Sequence, residues 1–281
     1  ALGGAARRSG DWDRSAEGYA EAAHLADALG DKASGLPVRI STEKHPIARG
    51  NLPAAQMILD EVISEASREG LDGVEAMALH SRASVAQLTG SPAETVTLAY
   101  QALEKTTNVA VKDTIMADIA AAFVDLGMRE AARDTHMVIS LTSRYQWVRW
   151  QATINLMELA TMDNMEQAFD GYAAELKHAA LDPRLRSYYL LYHGQGCIQF
   201  GRTDEGLTEI AEAQQFAARH KINQVAFDAE KALAAEKRGI QKVEARKPWA
   251  DPIPENVSRV ADAMSRVRET SLSSSSADEW M

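Results

Sequence analysis

Seven histidines and one cysteine are the residues of this chain best suited to metal or nucleophilic chemistry, and their spacing builds no recognisable constellation. His24, His45, His80, His136, His178, His193 and His220 are scattered, and no two of them lie four apart as a pair of histidine ligands on one helix face would. There is no His-Glu-x-x-His and no pair of Cys-x-x-Cys. Cys197 is the single cysteine, which excludes an intrachain disulfide, and it reads as a small core residue rather than a nucleophile. Carboxylates are abundant, but pairs such as Asp60-Glu61 and Asp204-Glu205 follow helix-surface patterns, and none shares an apolar pocket as acid/base chemistry requires. Gly3-Gly4 and Gly194-x-Gly196 lie in helical context, without the preceding strand of a phosphate loop. The expectation is a non-enzyme with no catalytic residue, no metal and no cofactor.

What remains is binding chemistry. Arg144-Tyr145-Gln146-Trp147-Val148-Arg149-Trp150, with Asn155 beyond it and Arg184, Arg186, Tyr188, Tyr189 and Tyr192 further on, gathers the side chains that dominate binding hot spots. Aromatics make up only 6% of the chain, so this clustering carries weight. Core packing is the alternative reading for Trp147 and Tyr189, while at least one Trp or Tyr is expected to face a groove.

The elements that position these residues follow from a repeat. Turn residues recur at Gly10, Gly50, Gly90, Gly127, Asp163 and Gly201, at intervals of 36 to 40. Five residues after each comes Ser15, Ala55, Thr95, Ala132, Ala168 and Gly206, all small. Such a period marks stacked helical hairpins, each burying on its neighbours an apolar stripe it cannot bury alone. Seven residues before the turn stand Gly3, Glu43, Ala83, Ala120, Leu156 and Gly194, and four before it Ala6, Pro46, Ala86, Phe123, Leu159 and Cys197. In the second helix the positions nine and twelve after the turn read Tyr19, Leu59, Ala99, His136, Tyr172 and Ile210, then Ala22, Val62, Ala102, Ile139, Glu175 and Ala213.

This register resembles the tetratricopeptide repeat over roughly residues 1–239, best in the first and last copies. The period exceeds the usual ~34 residues, which resembles the longer repeats of MalT-type bacterial regulators. The resemblance implies an all-α, right-handed superhelical solenoid of about six antiparallel hairpins whose first helices line a concave groove. Groove positions carried over by register include Met77, His80, Ser84, Gln87, Thr114, Asp125, Trp150, Met157, Tyr188, Gln195 and Gln199. From these and the arginines beside them, Trp150, Tyr188, Arg149, Arg184, His80, Gln195 and Gln199 are the expected partner-binding residues. Trp150 and Tyr188 are expected at equivalent positions in adjacent hairpins. The Lys, Arg and Asn set of a carboxylate clamp is missing. The implied function is a protein-interaction scaffold for a peptide or partner helix. The alternative is the ligand-sensing or oligomerisation arm of a larger bacterial regulator.

Composition agrees. The chain is poor in aromatics and prolines, which favours helix, and no sustained apolar–polar alternation signals strands. A formal net charge of −10 argues against a nucleic-acid surface. The basic cluster Lys237, Arg238, Lys242, Arg246 and Lys247 reads as a solvated helix end. No apolar run reaches membrane-spanning length, and no signal peptide opens the chain, so a cytoplasmic location with no membrane insertion is expected. The register places Leu2 and Gly3 mid-helix, so the chain is expected to be a piece of a longer one or of a complex. Hairpins are expected at 1–30, 31–70, 72–108, 111–142, 145–180 and 184–222, then a helix at 224–239. Pro37 and Pro46 are expected to kink or loop the second hairpin. A Pro-containing linker at 240–254, a capping helix at 255–270 over the last repeat and a disordered Ser-rich tail at 271–281 complete the reading.

Overall fold

A computed structural model describes residues 4–6, 11–237 and 249–278 of the chain. Among the described residues there are fourteen helices and no strand. They are α1 (Trp12–Ala28), α2 (Lys32–Thr42), α3 (Lys44–Ala48), α4 (Leu52–Arg68), α5 (Asp72–Leu88), α6 (Pro92–Lys105) and α7 (Val109–Asp125). The second half holds α8 (Arg129–Thr142), α9 (Gln146–Met162), α10 (Glu166–Leu176), α11 (Pro183–Gln199), α12 (Thr203–Arg219), α13 (Asn223–Lys237) and α14 (Glu255–Asp278). The expected turn at Gly10, most of the 240–254 linker, four of the five residues of the basic cluster and the last three residues lie outside the described residues.

Short, repeated caps separate the helices. Gly30, Gly50, Gly70, Gly90, Gly127 and Gly201 all take positive φ. At Gly90 (φ 72°) the N–H donates to the Gln87 carbonyl and the next N–H, of Ser91, to the Ala86 carbonyl, closing the paired bonds of a Schellman motif. The side chains of Asp11, Asp31, Asn51 and Asp182 cap the following helix starts.

The fifth turn departs from the expected register. Asp163 is not the left-handed residue; Asn164 is, with φ 57°. Asn tolerates this region through local hydrogen bonding of its short side chain. Asp163 instead accepts from Arg129 at 2.6 Å and also pairs with Arg133. The register therefore moves one residue along, which rotates the face by about 100°. In α9 the expected Leu156 and Leu159 stay buried beside Met157 and Ala160, while in α10 the buried positions become Phe169, Ala173 and Leu176, and the expected Ala168 and Tyr172 are partly exposed and Glu175 is exposed. Met157, expected in the groove, is core. The other crossing residues hold as read: Ser15, Ala55 and Ala132 are fully buried, and Thr95 Oγ1 donates to the Ala83 carbonyl across the hairpin at 3.4 Å.

The chain divides into two compact units, Ala1–Ala122 with Ile253–Val260, and Phe123–Pro252 with Ala261–Met281. In the first, α1 packs on α2, α2 on α4 and α5, α4 on α5, and α5 on α6, around Leu36, Ile40, Leu59, Val62 and Val85. Arg82 ties three helices of this unit together through Asp60 (3.1 Å) and Glu94 (2.7 Å). In the second, α9 packs on α8, α10 and α11, α11 on α12, and α13 on both α11 and α12, around Ile154, Met157, Phe169, Leu190 and Ile210. In each unit a first helix thus packs on its own partner and on the first helix of the next hairpin, α2 on α4 and α5 and α9 on α10 and α11, as consecutive helix pairs do in helical-repeat proteins.

Two boundaries differ from those the sequence predicts. The second hairpin is broken as expected, but α2 runs through Pro37 and α3 through Pro46, with the break at Glu43 between them. The last helix continues to Asp278, eight residues past the expected end at Thr270. Near its end, Thr270 donates to the Arg266 carbonyl, Ser271 to that of Val267 and Ser273 to that of Glu269, each within the helix. Along this helix, Asn256 donates to Thr97 of α6 at 2.9 Å, and Arg268 to Asp134 of α8 at 2.6 Å.

Candidate functional site

The aromatic and basic residues singled out in the sequence cluster at the starts of α9 and α11, two helices that pack together. Tyr145 and Trp147 are exposed, at 44% and 56%. Large aromatics normally bury their area in a core, so two at one helix start mark a surface with apolar area to give. Arg149 turns back on the loop, donating to the Ser143 carbonyl at 3.2 Å and to Gln146. On α11, Asp182 caps the helix by accepting from the N–H groups of Arg184 and Leu185. The Arg184 guanidinium lies over the Tyr188 ring, 5.8 Å from its centre, and Arg186 over Tyr189 at 5.3 Å. Tyr188 and Tyr192 form a tilted ring pair at 5.8 Å.

Trp150 and Tyr188 stand differently from Trp147. Both are partly buried against the core of the second unit. With the turn at Asn164, the position equivalent to Tyr188 is Gln151, and Trp150 matches Ser187, so the expected side-by-side pair is out of register by one residue. Arg184 is instead the equivalent of Trp147. Tyr189 is core, 5% exposed, as the packing alternative for it held, whereas Trp147 is not. Burial raises the Tyr189 and Tyr192 hydroxyls above the ordinary phenol range, the nearby carboxylates of Glu209 and Glu158 adding to it.

The remaining expected residues fall elsewhere. His80 lies in the first unit, where its Nε2 meets Asp118 at 2.7 Å. Gln199 donates to Asn164 at 3.2 Å, bracing the fifth turn, and Gln195 is half-buried on α11. One arrangement was not foreseen. His193 and Cys197, four residues apart on α11, meet Glu209 of α12. Their donor atoms, all within 4.8 Å of one another, are of types that hold a metal. The i, i+4 spacing was visible in the sequence, but Glu209 joins only through the crossing of the two helices.

The fold and this surface define an all-α protein of consecutive packed helix pairs, compatible with a helical-repeat protein. No protein-family model matches the chain, and comparison with curated proteins finds no match. Among the described residues no helix is long and apolar enough to cross a membrane.

Proposed function

We propose that this chain is a non-enzymatic binding scaffold, a tetratricopeptide-like right-handed solenoid of the longer-repeat type acting in the cytoplasm, whose partner is an extended acidic peptide. The observation that carries this reading is the exposure of Tyr145 and Trp147 beside Arg144 and Arg149, with Arg184 at the equivalent position on the adjacent packed helix. Rigid aromatics supply apolar contact area at little entropic cost, and guanidinium groups supply paired donors to carboxylates. The negative charge of the chain as a whole disfavours an acidic partner everywhere except where arginines gather.

The test is fluorescence anisotropy with a labelled Glu-rich extended peptide carrying leucine anchors. Binding weakens as salt rises. Trp147→Ala costs about 2 kcal/mol or more of affinity, the hot-spot threshold, with the melting temperature unchanged. Arg184→Ala lowers affinity and flattens the salt dependence. Trp150→Ala and Tyr188→Ala lose both affinity and stability, because each also packs on the core. Undiminished binding by Trp147→Ala and Arg184→Ala overturns the assignment.

A further inference from the structure

His193, Cys197 and Glu209 bring three different donor types together at one crossing. The crossing is tight because its backbones touch. A Cβ on Gly206 would lie 2.4 Å from the Gly194 carbonyl oxygen, and one on Gly194 2.8 Å from that of Gly206. Glu209, three residues beyond Gly206, thereby reaches across to His193 and shares a hydrogen bond with its Nδ1. Cys197 Sγ sits 3.8 Å from the same nitrogen. The imidazole stacks on two rings, Phe169 at 5.3 Å and Tyr189 at 5.4 Å, each within 15° of parallel, which holds its plane before any ligand arrives.

We propose that His193, Cys197 and Glu209 form a binding site for a borderline-soft divalent cation of the zinc class. The donor set selects the ion. Nitrogen, sulfur and carboxylate oxygen together suit zinc, while calcium and magnesium take oxygen. A tetrahedral ion with Zn–N near 2.0 Å and Zn–S near 2.3 Å sets its nitrogen and sulfur ligands roughly 3.5 Å apart, close to the separation of Nδ1 and Sγ here. The ion takes the place of the hydrogen between His193 and Glu209, the carboxylate moving outward to make room. The ring proton passes from Nδ1 to Nε2, the Cys197 thiol proton leaves to solvent, and one proton is released for each cation bound. Cys197 is fully buried, but the His193 and Glu209 side chains are 11% and 23% exposed, which gives the ion an entry and leaves the fourth position to water.

The test is titration of Co²⁺ into the full chain, reduced and freed of metal with a chelator. A thiolate-to-cobalt charge-transfer band saturating at one equivalent, with four-coordinate visible bands that Zn²⁺ abolishes and Mg²⁺ does not, is expected. Cys197→Ser removes the charge-transfer band. Glu209→Gln keeps an acceptor for the His193 hydrogen bond, so the fold persists, and its Co²⁺ affinity falls at least about tenfold. Failure of the wild-type chain to give the band, its survival in Cys197→Ser, or unchanged affinity in a folded Glu209→Gln overturns the site.

Discussion

His136 shows how one side chain sets a chemical property of the fold. It stands at the position nine after the fourth turn, and the structure buries it to 4% exposure with Nδ1 unpartnered. Burial holds its pKa down at about 4, against an ordinary 6.5. The folded value lies below the unfolded one, so the unfolded chain binds the extra proton. This contribution is full above pH 6.5 and is lost as pH falls toward about 4, amounting to about 3 kcal/mol. Urea unfolding at pH 7 and pH 4.5 measures most of it: wild type loses about 2 kcal/mol more than His136→Leu over the same interval. Equal losses in the two proteins would place the histidine in solvent. At this scale the sequence was legible where a backbone conformation demands one residue type. The six turn glycines from Gly30 to Gly201 take φ > 0, which disfavours a Cβ. It misled at Asp163 because Asp and Asn both suit a turn, and only the arginines on α8 reveal that the aspartate is engaged in ion pairs.

Among the elements, helix crossings decide which substitutions are tolerated. Gly206→Ala places a methyl group against the α11 backbone and costs about 1–3 kcal/mol or more. Gly171→Ala in α10 meets nothing within 4 Å and gains about 0.5–1 kcal/mol from helix propensity. Melting of the two variants separates them by opposite signs, and a neutral Gly206→Ala would mean the helices stand further apart. The small residues five after each turn made most crossings legible in sequence. The fifth crossing was not, because Phe169 fills it, and the space comes from Gly196 on another helix, where a Cβ would lie 2.0 Å from the ring. The metal-type cluster was half legible for the same reason: His193 and Cys197 share one helix, whereas Glu209 depends on a crossing that no local pattern encodes. The length of α14 was missed because serine-rich composition signals disorder unless its hydroxyls find carbonyls one turn back.

For the whole molecule, the periodicity announced an all-helical chain, and the pairing of neighbours followed from it. The division into two units and the anchoring of α14 were not announced, since both depend on contacts between distant residues. That anchoring has a kinetic consequence. The other inter-helix bonds named above join residues no more than 38 apart, as His80 and Asp118 are, whereas those of α14 span 159 and 134 residues. Short closures reward themselves early, so hairpins nucleate and spread fast, while α14 must wait for a surface to dock on. Stopped-flow folding of Arg268→Ala checks this order. Losing the partner of the nearly buried Asp134 costs about 1–3 kcal/mol, and the loss falls on the unfolding rate while the main folding phase keeps its speed. A main phase slowed by the substitution would place the docking of α14 inside the rate-limiting step. If the order holds, α14 is a latch that closes only on hairpins already assembled.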